Sequence, residues 1–436
     1  QDNPEKIRNY IIQEYQDHGI AHVTLGGDVE HVPNRGFYCG VQSSSWYEDE
    51  NIPSDLYYAA LDGNWNDDGD NLWGEIGEDD LLPEIGIGRM SFSDQAELDA
   101  MINKTMQYQQ NPVSGEMENP LLAGEHLYSD PETWGSDYLE LLIGFHDDNG
   151  YETTGIPVTQ NTEKLYASEG SWNKTGLMNL MNQGGSFIHH VGHANSSYAM
   201  KFSNSDITNT NFSGLDGTTH NYPIIYSHGC ICGAFDNSDC IGERMTAIEN
   251  LAVAVFMNSR YGWFNEGQTE GPAAHINREL VDAFYDKKEP RLGAAYTLAR
   301  ISTAPWVNAP GQWEEGALRW NFYDCNLLGD AALAFWTEEP MQVSVTYEDT
   351  IDEGTTSIQV SVLSDGPVEG LCCHAVMDSI SCGMAFTDES GLAEIVFSEP
   401  LQPGEMMLCV SGSNCLLSEN TVTIVNGPAT FFEPVW

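Results

Sequence analysis

Up to Trp336 the chain keeps setting short, unbroken apolar runs beside segments of helical periodicity, and this alternation restricts the fold more than any other feature. The runs include Ala21 to Leu25, Leu82 to Met90, Leu121 to Tyr128, Ser186 to Val191, Pro223 to Tyr226 and Leu251 to Met257. They have the length of strands buried on both faces, not of helices. Between them, 4–18 carries Ile7, Tyr10, Ile11 and Tyr15 on one helical face. Residues 94–110 carry Leu98, Met101, Ile102 and Thr105 on another, with Asp94 as N-cap. Helices are also expected over 135–148, 174–183, Cys240 to Asn250, 272–287 and 292–302. The pattern predicts an α/β fold, a mostly parallel sheet covered by helices on both faces.

The pattern changes beyond Trp336. From Val343 to Ile424 the chain reads as short alternating strands, among them 357–364, 372–378 and 391–398, separated by turn residues such as those of 364–367 and 388–391. This predicts a small β-sandwich, with Glu339-Pro340 at the junction. Three segments are expected: 1–120, an N-terminal α/β part; 121–338, a second α/β part; and 339–428, the sandwich.

Composition narrows the partners. The chain has 436 residues, with 66 Asp and Glu against 16 Lys and Arg, a net charge of -50. Such a chain repels phosphate backbones and anionic lipid, so no nucleic-acid partner is expected. The acidity fits solubility in a salty medium and Ca²⁺ binding better than attraction of basic substrates. No apolar run approaches the ~18 residues of a membrane span. The chain begins at Gln1 with no signal peptide, which is read as a processed, secreted or cell-surface segment. Five of the ten cysteines lie between 372 and 415, a density that predicts disulfides and an oxidising compartment. Zinc would call for paired CxxC spacing, which is missing.

Two of the apolar runs end in reactive side chains. One leads from Gly184 through Val191 to Gly192, His193 and Ala194; the other leads from Tyr222 through Ser227 to His228, Gly229 and Cys230. Ligands of open α/β sheets bind at the carboxyl ends of strands. Adjacent strands ending in His and Cys would bring an imidazole to a thiol, with Cys230 as nucleophile and His193 as base. The N–H groups of Cys230 and of Gly192 or Ala194 are oxyanion-hole candidates, and Gly229 lets a substrate backbone approach. His189, His190 and His228 compete for the role of base, and Cys232 for that of nucleophile.

The motifs HHVGHA (189–194) and SHGC (227–230) resemble those of the gingipain family of cysteine peptidases, whose clan includes legumain and the caspases. PEIGIGRM (83–90), the helix ending QYQQ (107–110), FMNSRYGWF (256–264) and NLLGDAAL (326–333) extend the resemblance over nearly the whole chain. It implies a caspase-like sheet followed by an immunoglobulin-like domain. It also implies a secreted endopeptidase that cleaves proteins or peptides through an acyl-enzyme, with cleavage after Arg or Lys. Glu125 in LLAGEHLY would orient the imidazole, Asp137 in WGSDYLE would select the basic residue, and Trp263 would wall the pocket. No organic cofactor is implied, and a cleaved N-terminal segment is an expected partner. Two positions depart from the family pattern: Ala194 stands where the family has Gly, and Gly229 where the gingipains proper have Ala. The alternatives are an inactive surface or adhesion protein on the same fold and a sortase-like transpeptidase.

Asp62, Asn64, Asn66, Asp68 and Asp70 alternate around Gly69 and are followed by Glu75. Oxygens at every second position can wrap a hard cation. The resemblance strengthens this reading, since gingipain-like enzymes bind structural calcium. One ordered Ca²⁺ loop is expected here.

Overall fold

A computed structural model describes residues 2–148, 150–309 and 314–427. The chain divides into two compact units, 1–337 and 338–436.

The first unit is built on an eight-stranded sheet. Its strands are β1 (His22–Gly26), β2 (Gly86–Met90), β3 (Leu121–Gly124), β4 (Glu163–Tyr166), β5 (Phe187–Val191), β6 (Ile224–Ser227), β7 (Ala254–Asn258) and β8 (Cys325–Leu328). The spatial order is β1-β2-β8-β7-β6-β5-β3-β4. Every pairing is parallel except β7 with β8. The sheet runs unbroken across residue 120, because β1 and β2 join the same array as the later strands.

Strand alternation explains why the runs are wholly apolar. Ile188, Ile225, Val255 and Leu328 join one core with Leu177, Met181 and Met245 from the helices Lys174–Met181 and Ile241–Ala247. Their neighbours in sequence face the other way. Phe187 meets Phe284 of the helix Pro272–Tyr285, and Phe256 meets Tyr296 of the helix Leu292–Thr303. Both faces are therefore covered, and a polar side chain on either face is costly without a partner.

The helix Gln95–Gln110 starts where the sequence places it, with the Asp94 carboxylate accepting from the N–H groups of Ala96 and Glu97. The helix expected over 135–148 is shorter. It ends at Glu140, Gly144 turns at φ 74°, and Phe145–Asp148 pairs with Tyr151–Thr154 as a hairpin. The run Leu121 to Tyr128 also breaks, with Glu125 between β3 and the short strand His126–Ser129. A hairpin of Arg35–Gln42 and Trp46–Ser54 and the helix Ala317–Asp324 were not legible as elements.

The second unit is a sandwich of a three-stranded and a five-stranded sheet. Inward residues such as Val360, Ala375, Ile395, Leu408 and Val422 form its core and alternate with outward ones. The disulfides expected here are not formed among the described residues, and Cys373, Cys382, Cys409 and Cys415 are thiols. The register accounts for this. Cys373 lies opposite Val410 and Ala385, and Cys409 opposite His374 and Glu419, so no strand pairing sets cysteine against cysteine.

Candidate active site

β5 and β6 are parallel neighbours, with His189 opposite Tyr226 and His190 opposite Ser227. Their carboxyl ends therefore lie side by side. The chain leaves β5 through Gly192 and His193 and leaves β6 through His228, Gly229 and Cys230. His193 and Cys230 line one narrow cavity, together with Leu127, Tyr138, His228 and Trp263.

Burial separates the four histidines. His189, His190 and His228 are buried, whereas His193 is exposed. Burial pushes His189 and His228 down to about 3, so both stay neutral. The His228 ring is also taken up by Asn277, 2.9 Å away. His193 keeps an accessible ring. Its Nε2 lies 3.0 Å from the Leu127 carbonyl oxygen. A carbonyl only accepts, so Nε2 carries the proton, and Nδ1 of the neutral ring has the lone pair a base needs.

Burial pushes the Cys230 thiol above its ordinary value, and the Gly262 backbone only partly offsets this. The resting sulfur is therefore a thiol. Cys232 is fully buried, its Sγ 3.3 Å from the Gly229 carbonyl oxygen, and burial raises it to about 12.

Glu125 does not bond the His193 ring. Its Oε1 lies 3.4 Å from His190 Nε2, and His190 Nδ1 lies 2.9 Å from Ser227 Oγ. Burial alone would raise Glu125, but the His190 hydrogen bond and the nearby His190, Lys201 and His193 charges outweigh it and hold the carboxylate below its usual range. The Glu125 backbone is pinned by its N–H to Val191 and its carbonyl to Gly135, at 2.8 and 2.7 Å. Gly192 is required beside this pair, because a Cβ there would fall 2.4 Å from His190 Nε2 and 2.6 Å from Glu125 Cγ. His190 and Ser227 were missed as a unit. The signal was two polar residues at matching positions of adjacent apolar strands.

The two departures from the family motifs are in contact. A Cβ on Gly229 would stand 2.4 Å from the Ala194 Cβ. The methyl group has moved from one turn to the other, and only one of the two positions can carry it. The Gly229 N–H, donated to Ser227 Oγ at 3.1 Å, is not available to an oxyanion. Among the described residues the N–H groups of Gly192, Ala194 and Cys230 have no such partner in another residue.

Trp263 lies in the cavity wall as expected, its backbone N–H held by Asn321 Oδ1 at 3.0 Å. Asp137 does not line this cavity. It is exposed on the helix Gly135–Glu140, and the next residue, Tyr138, reaches the cavity instead and donates to the Asn265 carbonyl oxygen. Successive residues of a helix point about 100° apart, so a one-residue difference redirects the side chain.

A family model for peptidase family C25 matches residues 1–336. The chain belongs to peptidase family C25. It is 26% identical over 232 residues to an uncharacterized protein of Archaeoglobus fulgidus, covering 52% of this chain and 51% of that one. It is 24% identical over 212 residues to a Lys-gingipain of Porphyromonas gingivalis, covering 47% of this chain and 10% of that one. The chain thus spans about half the length of the first relative and a tenth of the second. The crystal structure of the Arg-specific cysteine proteinase gingipain R superimposes with a TM-score of 0.71 at 19% identity, covering 97% of this chain and 88% of that one. The complex of the pro- and mature domains of Porphyromonas gingivalis RgpB gives 0.70 at 18%, covering 97% and 90%. These likenesses establish the gingipain fold for the C25 chain, including its β-rich C-terminal part.

The acidic loop of this C25 member does not wrap a single centre. Asp68, Asp70 and Glu75 bring carboxylate oxygens within 4.8 Å of one another, whereas Asp62 groups with Asp80 and Glu84. Asn64 donates to Asp67, and Asn66 closes its own turn by accepting from the Gly69 N–H at 2.8 Å. The cause is Trp65, which has a positive φ of 71° and is buried in a stack on Phe37, so the loop cannot run as an even alternation. The Asp62 group has a cation of its own, since Arg8 lies close enough to Asp80, Glu84 and Asp62 to feel all three charges.

Proposed function

We propose that this C25 chain is a secreted or cell-surface cysteine endopeptidase in which Cys230 attacks the scissile carbonyl carbon. His193 Nδ1 takes the thiol proton as the C–S bond forms and returns it to the leaving amine. That expels the first product and leaves an acyl-enzyme at Cys230. A water molecule then attacks the thioester, His193 again acting as base, and the peptide acid is released. The N–H groups of Cys230 and of Gly192 or Ala194 are the donors proposed for the tetrahedral oxyanion. The observation that carries the reading is the placement of Cys230 and His193 in one cavity at the ends of adjacent strands.

Glu125 is proposed to act at one remove, fixing His190 and the turn that delivers His193. Cleavage after Arg or Lys is the finer reading. It is supported by the named specificities of the gingipain relatives alone, because Asp137 does not line the cavity. A pro-segment is the proposed partner, by analogy with the pro- and mature-domain complex.

Structural Ca²⁺ is proposed at Asp68, Asp70 and Glu75. The donors are all oxygen, as this hard cation requires. The fit is supported by Glu78: its Oε1 accepts from the Asp68 N–H, while its buried Oε2 has no hydrogen-bond partner. Burial, with the charges of Asp70, Glu78 and Asp68, holds Glu75 above the usual carboxylate range, a cost that a cation would remove. The ion would order the loop and take no part in the reaction.

The test is labelling with an irreversible thiol-directed peptide inhibitor, followed by peptide mapping. Cys230 should carry the label, and Cys230→Ala should lose both label and peptide cleavage. Full activity in Cys230→Ala, with label on Cys232, would overturn the assignment.

A further inference from the structure

The cavity wall does not stop at Trp263. Tyr47, on the hairpin of Arg35–Gln42 and Trp46–Ser54, meets the Trp263 ring edge-on, centroids 5.4 Å apart, and the Tyr261 ring at 6.3 Å. Tyr261 in turn lies nearly parallel to the buried Trp320, at 6.0 Å. Tyr47 and Tyr261 remain 37% and 44% exposed. In a chain this rich in acids, aromatic surface left in solvent and continuous with a catalytic cavity marks a recognition surface rather than core.

The wall is held rigidly. Asn321 fixes both ends of the Tyr261–Trp263 segment, accepting from the Trp263 N–H and donating to the Tyr261 carbonyl oxygen, each at 3.0 Å. Arg260 then fixes the hairpin to the same segment. Its guanidinium reaches Asp49 at 2.7 Å, the Asn51 carbonyl oxygen at 3.0 Å and Asp236 at 2.8 Å. The Arg260 carbonyl oxygen accepts from the N–H of Ile231, the residue after the nucleophile, at 2.6 Å. One residue thus ties the hairpin, the aromatic segment and the nucleophile loop together. A surface held this way loses little conformational freedom when it binds.

We infer that Tyr47 and Tyr261, packed on the far side of the cavity wall formed by Trp263, form a substrate subsite for an aromatic or large aliphatic side chain, at a residue near the scissile bond but distinct from the one whose carbonyl is attacked. This rests on the peptidase reading and extends it. A ring entering the site would find edge and face partners already in place, the geometry in which aromatic groups attract beyond simple burial. The hairpin that supplies Tyr47 comes from the N-terminal third of the chain, so substrate selection draws on residues far in sequence from the dyad.

The test is cleavage-site profiling with a mixed peptide library, using the full chain and the Tyr47→Ala, Tyr47→Phe and Tyr261→Ala variants, each checked for an intact melting transition. The wild type should enrich Phe, Tyr, Trp or Leu at one position near the cut. In matched peptides, the ratio of kcat/KM for Phe over Gly at that position should fall about ten-fold in Tyr47→Ala, equivalent to about 1.4 kcal/mol. Tyr47→Phe should keep the ratio, because the ring and not the hydroxyl makes the contact. Tyr261→Ala gives a second reading should Tyr47→Ala fail to fold. A profile unchanged in both alanine variants, or enrichment of basic residues alone, overturns the subsite while leaving the peptidase reading intact. If the wild type labels at Cys230 yet cleaves no library peptide, the peptidase reading falls and the subsite falls with it.

Discussion

The contact between Ala194 and Gly229 predicts that the two turns of the dyad can exchange their methyl group but cannot both carry one. In Gly229→Ala the new Cβ would stand 2.4 Å from the Ala194 Cβ and 3.1 Å from Ser227 Oγ. The first separation is impossible without backbone movement. Overpacking of this kind costs about 1–3 kcal/mol. Gly229 is not among the positive-φ glycines, so alanine also returns about 0.4–1 kcal/mol by restricting the unfolded chain. The single variant should therefore lose about 1–2 kcal/mol. Ala194→Gly should lose about 0.5–1 kcal/mol through backbone entropy alone. In the double variant the clash is gone and the two entropy changes cancel, so stability should return close to the wild type. The coupling energy is then about 2 kcal/mol, well above the few tenths expected of independent sites. Urea unfolding of the four proteins measures it, and the rate of Cys230 alkylation reports whether the loop has moved. Additive losses, with the double variant the least stable of the four, would refute the reciprocal packing.

Three further outcomes follow from the charges. In a His193→Ala background, iodoacetamide should alkylate Cys230 with a pH midpoint above the ~8.5 of an ordinary thiol, because burial opposes the thiolate; a midpoint below that value would contradict the resting-thiol description. Burial raises Glu279 to about 7, so the folded chain keeps a proton that the unfolded chain loses near pH 4.5. The stability this gives is fully present below about pH 4.5 and is lost as the pH rises through 7, so Glu279→Gln should be more stable than the wild type at pH 8, by roughly 3 kcal/mol at most, and equal to it near pH 4. Chelation with EGTA should lower the melting temperature of the wild type, with a much smaller effect in an Asp68→Asn, Asp70→Asn variant; equal shifts in both would remove the cation from that loop.

The sheet was legible because strands buried on both faces read as near-continuous apolar runs, and β5, β6 and β7 do so apart from His189, His190, Ser227 and Asn258. The proposed pairing of Cys230 with His193 was legible because strand ends are where such sheets place chemistry. What escaped reading depends on contacts between distant segments. His190 and Ser227 form a pair only once the register of β5 against β6 is known, and that register sends Glu125 to His190 rather than to His193. The hairpin carrying Tyr47 has a polar strand with an exposed first half, which leaves no apolar period to detect. The acids of the proposed calcium loop fall into two groups rather than one because their alternation in sequence ignores Trp65, whose burial folds the loop back on itself. The disulfide expectation failed for a related reason: spacing in sequence does not say which residues a strand register sets opposite one another.

The two thiols after β6 show how little separates a cysteine at a cavity from one in the core. Cys230 and Cys232 are two residues apart, which on an extended strand would turn both to the same face. Ile231 breaks that relation. It has a positive φ of 62°, a conformation a β-branched residue adopts only when its surroundings force it. Here the Ile231 N–H is held by the Arg260 carbonyl oxygen and the Gly233 N–H by that of Asn258, so the turn is gripped from the end of β7 and from the second residue after it. Cys230 is thereby left at the cavity, while Cys232 is driven into the core beside Met257 and Leu328. Relaxing the turn should therefore not simply weaken the nucleophile; it should make the two sulfurs compete. Arg260→Met removes the anchors to Asp49 and Asp236, and it should raise alkylation of Cys232 relative to Cys230 in a peptide map. If Cys232 stays fully protected while Cys230 labelling slows, the grip on Ile231 comes from elsewhere in the core.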